Sequence, residues 1–193
     1  MRARSHGTPP AATGDRSRSE RGVALVEFAI VAPLLFFLLF GLIDFGVNLS
    51  NEIALRQGVR EGARQGSVAN FGPTASCGAT FTTPGSANMQ KLICLTKSRT
   101  DMTASEVAIA IRFDPTSTSY PAGATTASPP VGNGIIVCAV TPMASPSKFL
   151  SPILSGKYLK TKTTMRIEKG SGVAESIANE ADPTGANWSW CKP

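Results

Sequence analysis

Residues 23–43 form an apolar run with one ionisable side chain in it, Glu27. A helix needs about 20 predominantly apolar residues to cross a bilayer, and this run is long enough. The same stretch reads poorly as a cleaved secretory signal, because it is too long for the apolar region of one and no A-x-A site follows it. A retained membrane helix is therefore expected. Pro33 lies inside the run; a proline is tolerated there because neighbouring groups in a membrane bundle re-satisfy the freed backbone. Gly41 and Gly46 near its outer end allow close helix approach.

The charge pattern gives the helix a direction. The chain carries a formal net charge of +6. Much of it comes from Arg2, Arg4, Arg16, Arg18 and Arg21, set against Asp15 and Glu20 only. Arginines just before a span favour a cytoplasmic N-terminus, which accounts for the basic tail without nucleic acid. Few large apolar groups occur in residues 1–21, so this tail is expected to lack structure. The layout is a basic leader (1–22), a membrane and projecting helix (23–68) and an exported domain (69–193).

Beyond the run the helical pattern continues to about residue 67, before Gly72-Pro73. Leu49, Ile53, Val59 and Ala63 recur at mostly helical spacing. Glu52 precedes Arg56 by four residues, the favourable order for an ion pair. Arg56, Arg60 and Arg64 make a stripe that reads as a solvated face. At about 1.5 Å per residue the helix would be roughly 65–70 Å long. Only about half of that fits within a membrane, so the rest must carry the remaining chain.

The C-terminal part reads as a small antiparallel sheet, giving an α+β fold. Residues 106–113 alternate, with Val107, Ile109, Ile111 and Phe113 on one face. Residues 135–141 are a compact apolar strand bounded by Gly134 and Pro142. In residues 158–168, Leu159, Met165 and Ile167 oppose Lys160, Lys162 and Arg166. Short helices are expected over 89–97 and 147–154, with one amphipathic helix covering the sheet. Residues 69–86 and 115–134 read as loops. Trp188 and Trp190 alternate, which suggests an extended end pinned by Cys191.

All four cysteines, Cys77, Cys94, Cys138 and Cys191, follow the apolar run. An even number in an exported domain points to disulfides, and four cysteines allow three pairings. Cys77–Cys94 would close a short loop, and Cys138–Cys191 would tie the C-terminus to a strand; this pairing is favoured. The lone histidine, His6, lies in the tail. No CxxC pair, metal-ligand cluster, nucleophile–base pair or phosphate loop is evident, so no metal, cofactor or catalytic role is expected.

The most informative detail is local. A cut after Gly22 would give Val23 a new ammonium. Residues 23 and 27 lie one turn apart on the same helix face. Glu27 would then neutralise that amine, in its own chain or in a packed neighbour, which makes burial in lipid less costly for both charges.

Gly22-Val23-Ala24-Leu25-Val26-Glu27-Phe28 resembles the processing site of type IV-like prepilins. More narrowly, the Gly-then-Glu-Phe spacing, Pro33, the GLIDFG stretch and the REGAR stretch (residues 60–64) resemble the TadE-like pseudopilins of the bacterial tight-adherence (Flp) pilus. The resemblance covers residues 21–68. It implies cleavage after Gly22 by a prepilin peptidase on the cytoplasmic side, with Phe28 completing the motif and Glu27 supporting processing or registration. It further implies a single-pass inner-membrane protein whose outer domain is periplasmic or extracellular. Its partners would be other pilin or pseudopilin subunits and the assembly machinery. The competing reading is a signal-anchored binding module of the periplasm or cell surface, unrelated to pili.

Overall fold

The computed structural model describes residues 16–73, 77–103, 105–114, 131–173 and 175–192, with side chains from Gly22 onward. The expected disorder of residues 1–15, most of the expected loop over 115–134 and the tip of the 69–86 loop lie outside the described residues.

A single helix, α1, runs Arg16–Ser67 with Pro33 inside it. It starts within the tail that was expected to lack structure. Once a helix is nucleated, each further residue costs little to add, and residues 16–21 contain no Gly or Pro to stop it. The chain divides into two units, Met1–Leu42 and Ile43–Pro193. Among the described residues, the first is helix alone.

The second unit contains the rest of α1, together with β1 (Phe81–Thr83), α2 (Ala87–Ser98), β2 (Ala108–Phe113), β3 (Gly134–Pro142), α3 (Ser151–Leu154), β4 (Tyr158–Arg166) and β5 (Ala178–Glu180). The five strands form one sheet in the order β1-β5-β2-β3-β4, and every pairing is antiparallel. The three long strands fall where expected. The short edge pair was not foreseen: β1 lies in a stretch read as loop, and β5 carries only Ala, Asn and Glu.

Strand β3 is the spine. Residues 135–141 are buried on both faces. One face, with Ile109, Ile111, Ile135, Val137 and Leu159, packs under Leu55, Val59 and Ala63 of α1 and Met89, Leu92 and Ile93 of α2. The expected alternation of residues 107–113 holds, since Val107 and Phe113 join that layer. Two helices cover this face, where one was expected. Of the apolar residues at helical spacing on α1, Val59 and Ala63 are buried and Leu49 and Ile53 are exposed, while Leu55 joins the buried face. Alpha-helical spacing alone did not distinguish the two faces, because apolar residues stand on both.

The opposite sheet face, with Ala110, Ile136, Cys138 and Val140, is covered by Trp188, Cys191 and Trp190. The tryptophan segment is not extended. Asn187 and Trp188 both adopt positive φ, 48° and 57°, and turn the chain back onto the sheet. The turn is held by Asp182, which accepts the Trp188 N–H at 2.9 Å, and by Trp188 Nε1 donating to the Glu180 carbonyl at 2.8 Å.

Two disulfides close this unit, Cys77–Cys94 and Cys138–Cys191, spanning 17 and 53 residues. Chain-entropy arguments assign such loops about 3 and about 4 kcal/mol. Helix α2 is capped by Ser86, whose hydroxyl accepts the Met89 N–H. Lys97 at its other end reaches a buried Glu180 with Nζ 2.6 Å from Oε1, while Oε2 accepts the Ile109 N–H at 2.9 Å. Burial pushes the Glu180 carboxyl up; Lys97 and the Ile109 and Thr80 amides pull it only part of the way back. The pair thus fixes where β5 sits, at an energetic cost common for buried charges. The outer edge of β4 carries Lys160, Lys162 and Arg166, a composition that discourages edge-to-edge pairing.

Candidate processing and assembly site

Gly22, Val23, Glu27 and Phe28 lie on consecutive turns of α1. A Cβ on Gly22 would meet nothing within 4 Å, so the Gly22–Val23 bond stands open on an uncrowded helix. Val23 and Phe28 are 57% and 65% exposed. Glu27 is exposed too, and no described side chain pairs with it. Their neighbours Leu25, Ile30, Leu34, Leu38 and Leu42 are likewise exposed. An apolar surface this continuous marks a membrane or a protein contact. Among the described residues, one helix is long and apolar enough to cross a membrane, and it is this one. The four cysteines lie elsewhere, in the sheet unit, bonded in pairs.

Further along α1 the GLIDFG stretch has a structural role of its own. Asp44 is fully buried. It accepts the Ser145 hydroxyl at 2.7 Å, the Ser147 hydroxyl at 2.7 Å and the Ser147 N–H at 3.1 Å. One turn later, Asn48 grips the same segment: its Nδ2 donates to the Ala144 carbonyl at 2.7 Å, and its Oδ1 accepts the Ala144 N–H at 3.0 Å. A buried carboxylate is stable only when its lone pairs are met this way. Together the two side chains clamp the β3–α3 connection to α1.

A third feature lies where α1 meets α2. Gly58, Gly62 and Gly66 recur every four residues, forming a bare seam along the helix. A Cβ at Gly58 would stand 2.5 Å from Thr100 Cγ2. At Gly66 it would stand 2.7 Å from Ile135 Cδ1 and 2.8 Å from Leu92 Cδ2. No side chain larger than hydrogen fits. On the outer face, Arg56 pairs with Glu52 as the spacing implied. Arg64 makes a two-pronged contact with Glu61 at 2.7 and 2.8 Å, and the arginine stripe is solvent-exposed.

Residues 22–64 match the model of the TadE-like protein family. The resemblance read from the sequence therefore stands over that stretch. The TadE-like segment opens at the glycine of the expected cut and takes in Glu27, Phe28, the Asp44–Asn48 clamp, two of the three seam glycines and the Glu61–Arg64 pair. The sheet lies outside it. Neither the curated proteins nor the solved structures include a match to this chain. Sequence reasoning noted GLIDFG and REGAR as patterns only; it did not single out Asp44, Asn48 or the glycine seam. The four-residue glycine spacing was the visible signal for the seam. Nothing in the sequence pointed from Asp44 to serines about a hundred positions away.

Proposed function

We propose that the chain is a minor pilin-like subunit or assembly factor of a tight-adherence, type IV-like pilus. The observation that carries this reading is a coincidence of position. The TadE-like match begins at Gly22, where an exposed apolar helix also leaves its basic leader. In this role a prepilin peptidase cuts after Gly22 on the cytoplasmic side of the inner membrane. The mature chain stays anchored by residues 23–43, with its sheet unit on the far side. Glu27 meets the new Val23 ammonium, in its own chain or in a neighbouring subunit, which sets the register between subunits. Gly22 serves as the small residue at the cut, and Phe28 as the aromatic that follows the carboxylate. The role is structural, with no chemistry performed by the sheet unit.

Intact-mass analysis of the protein extracted from membranes tests the proposal. A mature N-terminus at Val23 supports it. An intact Met1, or a cut beyond Gly46, favours a signal-anchored binding module instead. A Glu27→Ala variant separates processing from registration: normal cleavage with failed pilus assembly assigns Glu27 to registration, and unchanged assembly removes its proposed role.

A further inference from the structure

The stretch held by the Asp44–Asn48 clamp carries exposed apolar side chains beside exposed lysines. Residues 143–157 contain no acidic side chain. Phe149 and Ile153 are 50% and 65% exposed, and exposed Lys148 and Lys157 flank them. On α1, Phe45 and Leu49 are also exposed, and with Leu150 and Leu154 they line an apolar groove of about 260 Å³.

We propose that this patch is a second membrane contact: Phe149 and Ile153 seat in the headgroup–acyl boundary of the bilayer that residues 23–43 cross. The inference rests on the reading of that run as a membrane helix. Asp44 follows the run directly in sequence, so its bonds to Ser145 and Ser147 fix the patch at the run's C-terminal end. Apolar groups flanked by lysines suit that layer. The side chains enter by about 5–10 Å, and the ammonium groups reach back to lipid phosphates. Anionic headgroups such as phosphatidylglycerol would attract both ammonium groups. A second copy packed patch to patch would instead set Lys148 and Lys157 against their own counterparts.

The test uses the full chain in vesicles of phosphatidylcholine and phosphatidylglycerol. No described cysteine is free, so an Ile153→Cys variant takes an environment-sensitive fluorophore at one place. Val173→Cys, exposed and beyond the far end of β4, is the reference. The proposal expects the label at 153 to be quenched by shallow nitroxide lipids and shielded from aqueous iodide, with the label at 173 showing the reverse. Replacing both lysines by glutamate should reduce the nitroxide quenching. A label at 153 as open to iodide as that at 173 overturns the proposal, and so does shielding without nitroxide quenching, which means a protein neighbour. A chain released by carbonate overturns the membrane helix and this contact together. A chain that resists carbonate but leaves 153 in water overturns the contact alone.

Discussion

A Cβ built on Gly62 would lie 2.2 Å from Thr96 Oγ1. That threonine hydroxyl already donates to the Leu92 carbonyl at 2.7 Å within α2, so it has little freedom to yield. In an isolated helix, Gly→Ala gains about 1 kcal/mol. Here the overlap wins. Overpacking costs roughly 1–3 kcal/mol or more, so Gly62→Ala should lower the thermal midpoint. Thr96→Ala in the same chain should recover part of the loss. Gly46→Ala, where a Cβ meets nothing within 4 Å, should be neutral or mildly stabilising. An alanine at 62 that leaves the midpoint unchanged would mean that α1 and α2 are not packed this closely.

The clamp makes a different prediction, because its loss is local. Asp44→Ala removes three hydrogen bonds to a buried carboxylate. Bonds to a charged acceptor are stronger than neutral ones, but water entering the gap will offset much of their loss. The expected outcome is faster amide exchange at Ala144 and Ser147, with the β2–β3 core still protected. Asp44→Asn should fall between the two, since an amide oxygen still accepts the serine donors.

Removing one partner of the Lys97–Glu180 pair leaves the other charge buried and unmet. Lys97→Ala should cost about 3–5 kcal/mol by urea denaturation. Replacing both residues by methionine should recover only part of this, because the Ile109 N–H then loses the Glu180 oxygen that accepts it at 2.9 Å. Full recovery in the double variant would show that the β5 position does not depend on that bond.

Acid should loosen the tryptophan turn. Burial alone would raise the Asp182 carboxyl, but the Thr184 hydroxyl, the Trp188 and Thr184 amides and the charge of Lys160 hold it below its ordinary value of 3.8. The folded state therefore binds this proton less readily than the unfolded chain does. Its contribution is fully present above that ordinary value and is lost as pH falls through the lowered one. Asp182→Asn should flatten the acid limb of urea midpoints measured across that range. An unchanged limb would assign the acid sensitivity to other carboxylates.

What could be read in advance depended on local pattern. Alternation at Val107, Ile109, Ile111 and Phe113 named the sheet face because period-two burial leaves a direct trace. The apolar run and its lone Glu27 were legible for the same reason, and so was the Glu52–Arg56 pair. The loop lengths favoured the disulfide pairing that is found. Strand β5 left no such trace: Ala178, Asn179 and Glu180 have little strand preference and are placed by neighbours distant in sequence. Trp188 and Trp190 alternate like strand residues, yet Asp182 captures the Trp188 amide and bends the chain. Leu49 and Ile53 share the helical spacing of Val59 and Ala63 yet stand exposed, because spacing alone does not say which side of α1 meets the sheet.

The seam on α1 also has a mechanical meaning. Within the sheet unit, the helix is joined covalently to the rest only past Ser67, while Leu55, Val59, Ala63 and the three glycines lie flat along α2 and the sheet. A force drawing the Ile43 end outward along the helix axis would meet the Asp44–Asn48 bonds and the whole seam in shear, loading all contacts together. Shear of this kind resists far more tension than peeling, where contacts fail one by one. A chain built this way should give a single rupture in a pulling measurement, where a peeling interface would give a staircase.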